Sequence, residues 1–174
     1  MLPRFFYMQI NRTKNSAPVL LIGVGNDFRC DDAVGLNLAR RFEQENLPGL
    51  DVLVEANDML SLLEIWTDRE QVYLCDAVMT AQPPGTIIRI DAFADNFQSD
   101  LSRFSSHSFG LNEIIMLGLR LKQLPKKLFF YGITGADFGF GKRVTPAVKH
   151  AEILVFKELC AKLKSVLSTN KVSI

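Results

Sequence analysis

The chain has 174 residues, of which 48% are hydrophobic and 22% are charged, and its formal net charge is +1. This length favours a single domain with a core large enough to fold without disulfides, and a nearly neutral chain has no global basic field for nucleic acid or an anionic membrane. The three cysteines are an odd set, typical of reduced thiols in a cytoplasmic protein.

No stretch predicts a membrane span, because the longest uninterrupted apolar run, residues 17–24, is far shorter than the roughly 20 residues that cross a bilayer. The aromatic run near the start of the chain is also too short for the hydrophobic core of a signal peptide. We therefore predict an N-terminal extension over residues 1–16, a single domain over 17–168 and a C-terminal tail over 169–174.

The first elements are a buried strand, a glycine turn and an amphipathic helix. Residues 19–24 form an apolar run, typical of a strand that is buried on both faces. Asp31 is predicted to cap the following helix, with Asp32 in its first turn near the positive end of the helix dipole. The residues Pro48-Gly49 end this helix. Its apolar stripe contains Val34, Leu36, Leu38, Ala39 and Phe42.

The middle of the chain alternates strand and helix patterns. The pattern predicts a second strand, a short helix, a third strand that ends at Asp76, and a fourth strand, at residues 51–55, 59–66, 71–76 and 86–90. The link Pro83-Pro84-Gly85 is too short for a parallel crossover, so the fourth strand is predicted to run antiparallel to a neighbour.

The last third contains two helices and one strand. Residues 92–106 are polar and are predicted to form a loop, and the apolar residues from Leu111 to Leu119 predict a helix that ends before Pro125. A strand is predicted over 127–133, and Thr145-Pro146 is a strong helix start. Together these elements predict an α/β fold: a three-layer αβα sandwich around a twisted, mostly parallel sheet of about five strands, one of them antiparallel.

Three side chains are candidates for chemistry: Asp32, Asp76 and His107. Because parallel strands bring their carboxyl ends to one edge of a sheet, the first and third strands should bring Asp32 and Asp76 together, and the loop of His107 could reach the same edge. Two carboxylates and one imidazole suit a borderline divalent ion such as Zn, Ni, Mn or Fe and leave coordination positions open. Each residue also has a purely structural interpretation. Asp32 would face the positive end of the helix dipole, Asp76 would accept hydrogen bonds from loop amides, and His107 would be exposed without a chemical role.

Other chemistries are weaker candidates. A Cys30–His107 hydrolase is disfavoured, because acids beside the thiol would raise its pKa. A dinucleotide site is excluded, because Phe28 occupies the third glycine position of the motif and the acid pair would repel a pyrophosphate. The glycine-spaced loop over residues 135–141, which contains Asp137, is predicted to be a mobile rim that could grip an extended peptide. His150 is predicted to lie on the surface of the last helix.

Short motifs follow one another in a specific order from about residue 18 to residue 160. They are Gly23-Val24-Gly25-Asn26, Asp31-Asp32-Ala33-Val34-Gly35, Cys75-Asp76-Ala77-Val78, Pro84-Gly85-Thr86, Ser106-His107 with Gly110-Leu111, Pro125-Lys126-Lys127-Leu128, Tyr131-Gly132-Ile133 and Thr145-Pro146-Ala147-Val148. In this order they resemble the hydrogenase maturation endopeptidase family. The sequence departs from the family pattern at residues 55–58, where other members often have a glycine pair, and at Asp32, where some have glutamate.

The resemblance implies an aspartic-type endopeptidase that removes the C-terminal extension of the nickel-iron hydrogenase large-subunit precursor after nickel has been delivered. It implies that Asp32, Asp76 and His107 are both the nickel-binding and the catalytic residues. The nickel would be presented by the precursor, and the same donors would accept another divalent ion in the resting protein. Two alternatives remain open: a non-catalytic module that checks for nickel in the same precursor, and a hydrolase of small amides on the same fold.

Overall fold

The computed structural model describes residues 17–54, 60–94, 105–106 and 111–170. The strands are β1 (Val19–Gly23), β2 (Leu50–Val54), β3 (Gln71–Met79), β4 (Ile87–Asp91), β5 (Ser105–Ser106) and β6 (Leu128–Thr134). The helices are α1 (Val34–Glu45), α2 (Ser61–Trp66), α3 (Leu111–Leu121) and α4 (Pro146–Asn170), and a short 3-10 helix, η1 (Cys30–Ala33), precedes α1. Within these ranges, no helix combines the length and the apolar character that a membrane crossing needs.

The sheet is mostly parallel, as predicted. Its strand order is β2-β1-β3-β6-β4. The pairs β1–β2, β1–β3 and β3–β6 are parallel, whereas β4 runs antiparallel to β6. The antiparallel orientation of β4 confirms the prediction made from the short proline-rich link before it.

A sixth strand, β5, was not predicted. Its two residues pair antiparallel with the end of β3, Ser106 with Val78 and Ser105 with Met79, so the prediction of a loop over 92–106 is wrong at residues 105–106. The physical reason lies in the edge of β3. Since β1 pairs with β3 only as far as Cys75, the β1 side of β3 is open beyond that residue and accepts a short polar segment that has no apolar period of its own.

Two apolar layers cover the sheet, one on each face. The alternation along β1 is clear: Val19 and Leu21 pack in the layer with α1 and α4, whereas Leu20 and Ile22 pack in the layer with α2 and α3. Because β1 is fully buried on both faces, its sequence is a continuous apolar run. This arrangement confirms the predicted three-layer αβα sandwich.

Candidate active site

Asp32 lies in η1, held there by the turn that follows β1. The Asn26 N–H donates to the Asp32 carbonyl over 3.3 Å, and the Asp32 N–H donates to the Arg29 carbonyl over 3.0 Å. At Gly25, where φ is +143°, an added Cβ would lie 1.9 Å from the Asp32 carbonyl oxygen, so only glycine fits. Glycine at position 25 therefore allows the backbone of the turn to lie in close contact with the segment that carries Asp32.

Helix α1 begins directly on the carboxyl ends of β1 and β3. An added Cβ at Gly35 would lie 2.2 Å from the Val24 carbonyl oxygen and 2.3 Å from that of Cys75. The Val24 N–H also donates to the Cys75 carbonyl over 2.9 Å. Since Asp32 precedes Gly35 by three residues, about one helical turn, this contact holds Asp32 near the ends of both strands.

Asp76 is the first residue of β3 beyond the end of its pairing with β1. It is 1% exposed, lies beside Gly132 of β6, and accepts a hydrogen bond from the Ala77 N–H over 2.8 Å. The prediction that Asp76 ends its strand is wrong, because β3 continues to Met79 along β6 and β5. The predicted placement at the carboxyl edge of β1 is correct, so Asp32 and Asp76 occupy neighbouring elements at one edge of the sheet.

His107 lies outside the described residues, and its place in the site stays a prediction. The residue before it in the sequence, Ser106, pairs with Val78, which is two positions from Asp76 along β3. Within the part of the chain that the structure describes, no three His, Cys, Asp or Glu side chains form a metal-binding group.

Asp31 is not a helix cap, contrary to the prediction. The Asp31 side chain is fully buried, and Ala33, not an acid, occupies the cap position of α1 because a 3-10 turn intervenes. The carboxylate instead accepts four hydrogen bonds from the segment after β6. Their donors are the N–H groups of Ala136 (2.8 Å), Asp137 (3.0 Å) and Thr145 (2.6 Å) and the hydroxyl of Thr145 (3.0 Å).

Backbone hydrogen bonds join the same two segments. The Asp31 N–H donates to the Asp137 carbonyl over 2.9 Å, and the Cys30 N–H donates to the Gly141 carbonyl over 3.0 Å. The Gly141 N–H donates to the Phe28 carbonyl over 2.9 Å. These bonds fix the loop over 135–145 against η1 and argue against the mobility that its glycines predicted.

The thiols near the acids are poor nucleophiles. Burial, with the nearby carboxylate of Asp137, raises the pKa of Cys30, and burial raises the pKa of Cys75 to about 12. This agrees with the prediction that acids beside Cys30 disfavour a thiolate. His150 is exposed on α4, as predicted.

Comparison with known proteins identifies the family. The model of a family described as hydrogenase maturation protease (HycI) matches residues 34–162, a range that includes Asp76 and His107 and begins just after Asp32. The hydrogenase 2 maturation protease of Escherichia coli (strain K12) is 26% identical over 136 residues, which cover 75% of this chain and 81% of that protein. The hydrogenase expression/formation protein HupD of Thiocapsa roseopersicina is 24% identical over 149 residues, covering 79% and 67% respectively.

Solved structures show the same fold. The hydrogenase maturating endopeptidase HybD from E. coli matches with a TM-score of 0.72 at 22% identity, covering 85% of this chain and 93% of that chain. The NiFe hydrogenase maturation protease HybD from Thermococcus kodakarensis matches with a TM-score of 0.62 at 22% identity, covering 83% and 97%. Since the family model spans well over half of the sequence, the chain belongs to the hydrogenase maturation protease family.

Proposed function

We propose that this chain is an endopeptidase that removes the C-terminal extension of the nickel-loaded large-subunit precursor of nickel-iron hydrogenase. The observation that carries the proposal is the placement of Asp32 and Asp76, 5% and 1% exposed, at one edge of the sheet in a hydrogenase maturation protease. The nickel belongs to the precursor and is part of the substrate. Free thiols at Cys30, Cys75 and Cys160 support a cytoplasmic location for the reaction.

The donor chemistry supports a role in recognising nickel. Two carboxylates and the imidazole of His107 provide oxygen and nitrogen ligands of the kind that a borderline divalent ion accepts. These three groups are proposed to complete the coordination of the precursor's nickel, which positions the scissile peptide bond beside the carboxylates. The position of Ser106, paired with β3 next to the end that carries Asp76, is consistent with bringing His107 to this edge.

The proposed cleavage is of the aspartic type. One carboxylate of the Asp32–Asp76 pair takes a proton from a water molecule, whose oxygen attacks the carbonyl carbon of the scissile peptide. The carbon–nitrogen bond then breaks, and the proton passes to the leaving amine. Because burial raises the pKa values of Cys30 and Cys75, neither of these two thiols offers a competing nucleophile at neutral pH.

The mass of the nickel-loaded precursor after incubation with the protein tests this function. The proposal requires a shortened precursor, and it requires that the nickel-free precursor stay intact. Nickel-dependent binding without any cut would instead indicate a non-catalytic checking module. Turnover of small amides without a precursor would indicate a small-amide hydrolase.

The two histidines of the chain provide a matched pair of variants. We expect His107→Ala to abolish processing of the nickel-loaded precursor while its circular dichroism and unfolding curve stay those of the wild type. The control is His150→Ala, because His150 is exposed on α4 and should tolerate the change with full processing. Full processing by His107→Ala would refute the assignment of His107.

A further inference from the structure

Two exposed aromatic side chains, one exposed lysine and one half-buried arginine form a surface beside η1, which we call the aromatic rim: Phe28, Arg29, Phe140 and Lys142. The Phe28 and Phe140 side chains are 62% and 95% exposed, the largest exposures among the aromatic residues that the structure describes. The Lys142 ammonium lies 5.0 Å from the Phe28 ring centre, and the Arg29 guanidinium lies 5.9 Å from the Phe140 ring centre. Grouped exposed aromatic side chains, unlike scattered ones, are typical of a binding surface.

Hydrogen bonds hold the backbone of the rim in place. Arg29 and Gly141 form a parallel bridge, and the Arg29 Nε–H donates to the Phe138 carbonyl over 3.2 Å. Between the rim and Asp32, Cys30 has a φ of +47°, a conformation that a non-glycine residue keeps only where its surroundings impose it. A surface fixed before binding loses less conformational entropy when a partner docks.

The charges of the rim favour an acidic partner. Arg29, Lys142 and the neighbouring exposed Arg143 are basic. The carboxylate of Asp27 is already engaged by Arg40 in a two-contact ion pair of 2.7 and 2.5 Å, and that of Asp137 accepts the Gly139 N–H. The Asp27 carboxylate also attracts Lys142. The three cations nevertheless outnumber these two acids, so the rim is complementary to carboxylates on a partner.

We propose that the aromatic rim binds the polypeptide of the hydrogenase large-subunit precursor next to its cleavage site. An apolar side chain of the precursor contacts Phe28 and Phe140, and acidic residues on either side of it pair with Arg29 and Lys142. The proposal rests on the proposed function. It follows from position as well as chemistry, because Phe28 and Arg29 immediately precede η1, the element that carries Asp32.

Rim variants and matched controls separate docking from catalysis. The variants are the double substitution Phe28→Ala with Phe140→Ala and, separately, Lys142→Glu. The controls are Phe93→Ala and Lys164→Glu, which change an exposed phenylalanine after β4 and an exposed lysine late in α4, both near the amino ends of the parallel strands. Each protein is tested for an unchanged unfolding curve and for KM and kcat on the nickel-loaded precursor.

We expect the double rim variant to raise KM at least tenfold with kcat within a factor of about two, because lost docking removes binding shared by ground and transition states. Lys142→Glu should also raise KM, and its KM should depend less on salt than that of the wild type. An unchanged KM in the double variant, or a lowered kcat at constant KM, would overturn the rim as a docking site.

The two proposals fail in distinguishable ways. If the wild type leaves the nickel-loaded precursor uncut, the proposed function is wrong. The dissociation constant of the same precursor, measured for the wild type and for the rim variants without any further substitution, then tests the rim separately. A dissociation constant raised at least tenfold supports it, and an unchanged one rejects it.

Discussion

Asp31 and Asp32 are adjacent in the sequence but differ in what surrounds them. The Asp31 carboxylate is buried and accepts four hydrogen bonds from the segment after β6, whereas Asp32 lies at the carboxyl ends of β1 and β3. The sequence singled out Asp32 through its motif and its turn. The sequence does not predict the hydrogen bonds of Asp31, because their donors lie more than 100 positions away along the chain.

Removing the Asp31 charge should loosen the loop that it holds. In Asp31→Asn, an amide N–H would face N–H donors, so at least one buried donor loses its acceptor. We expect the free energy of unfolding to fall by about 2–3 kcal/mol, measured by urea denaturation. The control is Asp68→Asn on the exposed surface, where φ is +66° and asparagine is well tolerated. Equal stability of Asp31→Asn and the wild type would contradict the bracing role of this carboxylate.

The buried thiol of Cys75 predicts a loss of stability in alkali. Its pKa is about 12 in the folded chain against an ordinary 9.0, so the unfolded chain releases this proton at lower pH than the folded chain. The stabilisation is complete below about pH 9 and is lost as the pH rises towards 12, at up to about 1.4 kcal/mol per pH unit. Burial also raises the pKa of Tyr73 to about 12, so Tyr73 adds to the loss of stability above about pH 10.

Cys75→Ala should therefore show a shallower fall in the free energy of unfolding between pH 9 and pH 11 than the wild type, whatever its stability at pH 7. Cys160→Ala, at a partly exposed position, serves as the control for the loss of a thiol. An identical slope in Cys75→Ala would show that this thiol does not titrate on unfolding.

At the scale of elements, the apolar periodicities predicted the strands and helices of the sandwich, with bounds that shift by a few residues. Strand β1 is predictable because burial on both faces requires an uninterrupted apolar run. Strand β5 is not predictable, because its two serines pair only where β3 extends past β1. The close contact of α1 with β1 and β3 is likewise invisible in the sequence, although its requirement for glycine at position 35 was part of the recognised motif.

Gly35→Ala should separate α1 from the strand ends. The added methyl group would overlap two backbone carbonyl oxygens, which cannot rotate away. We expect a loss of about 1–3 kcal/mol in the free energy of unfolding and a lower rate of precursor processing, since Asp32 lies one turn away. Gly118→Ala in α3 is the matched helical control, because its added methyl group meets the movable ends of Leu63 and Leu124. Equal effects of the two substitutions would contradict the special role of Gly35.

At the scale of the whole molecule, the fold is a platform whose parallel strands place two acids from distant parts of the chain at one edge. The rule that ligand sites lie beyond the carboxyl ends of parallel strands was enough to predict that Asp32 and Asp76 share this edge. The resemblance to hydrogenase maturation endopeptidases favoured His107, already a candidate from its loop, and added the nickel-loaded substrate. The aromatic rim needed the structure, because Phe28 and Phe140 become neighbours only through the bridge between Arg29 and Gly141.

The most direct test of the account is the mass of the nickel-loaded precursor after incubation with the wild type, with Asp32→Asn and with Asp76→Asn. We predict that the wild type removes the C-terminal extension and that each variant, although folded, leaves the precursor at full mass. Removal of the extension at the wild-type rate by either variant would contradict the claim that these two carboxylates act together on the substrate.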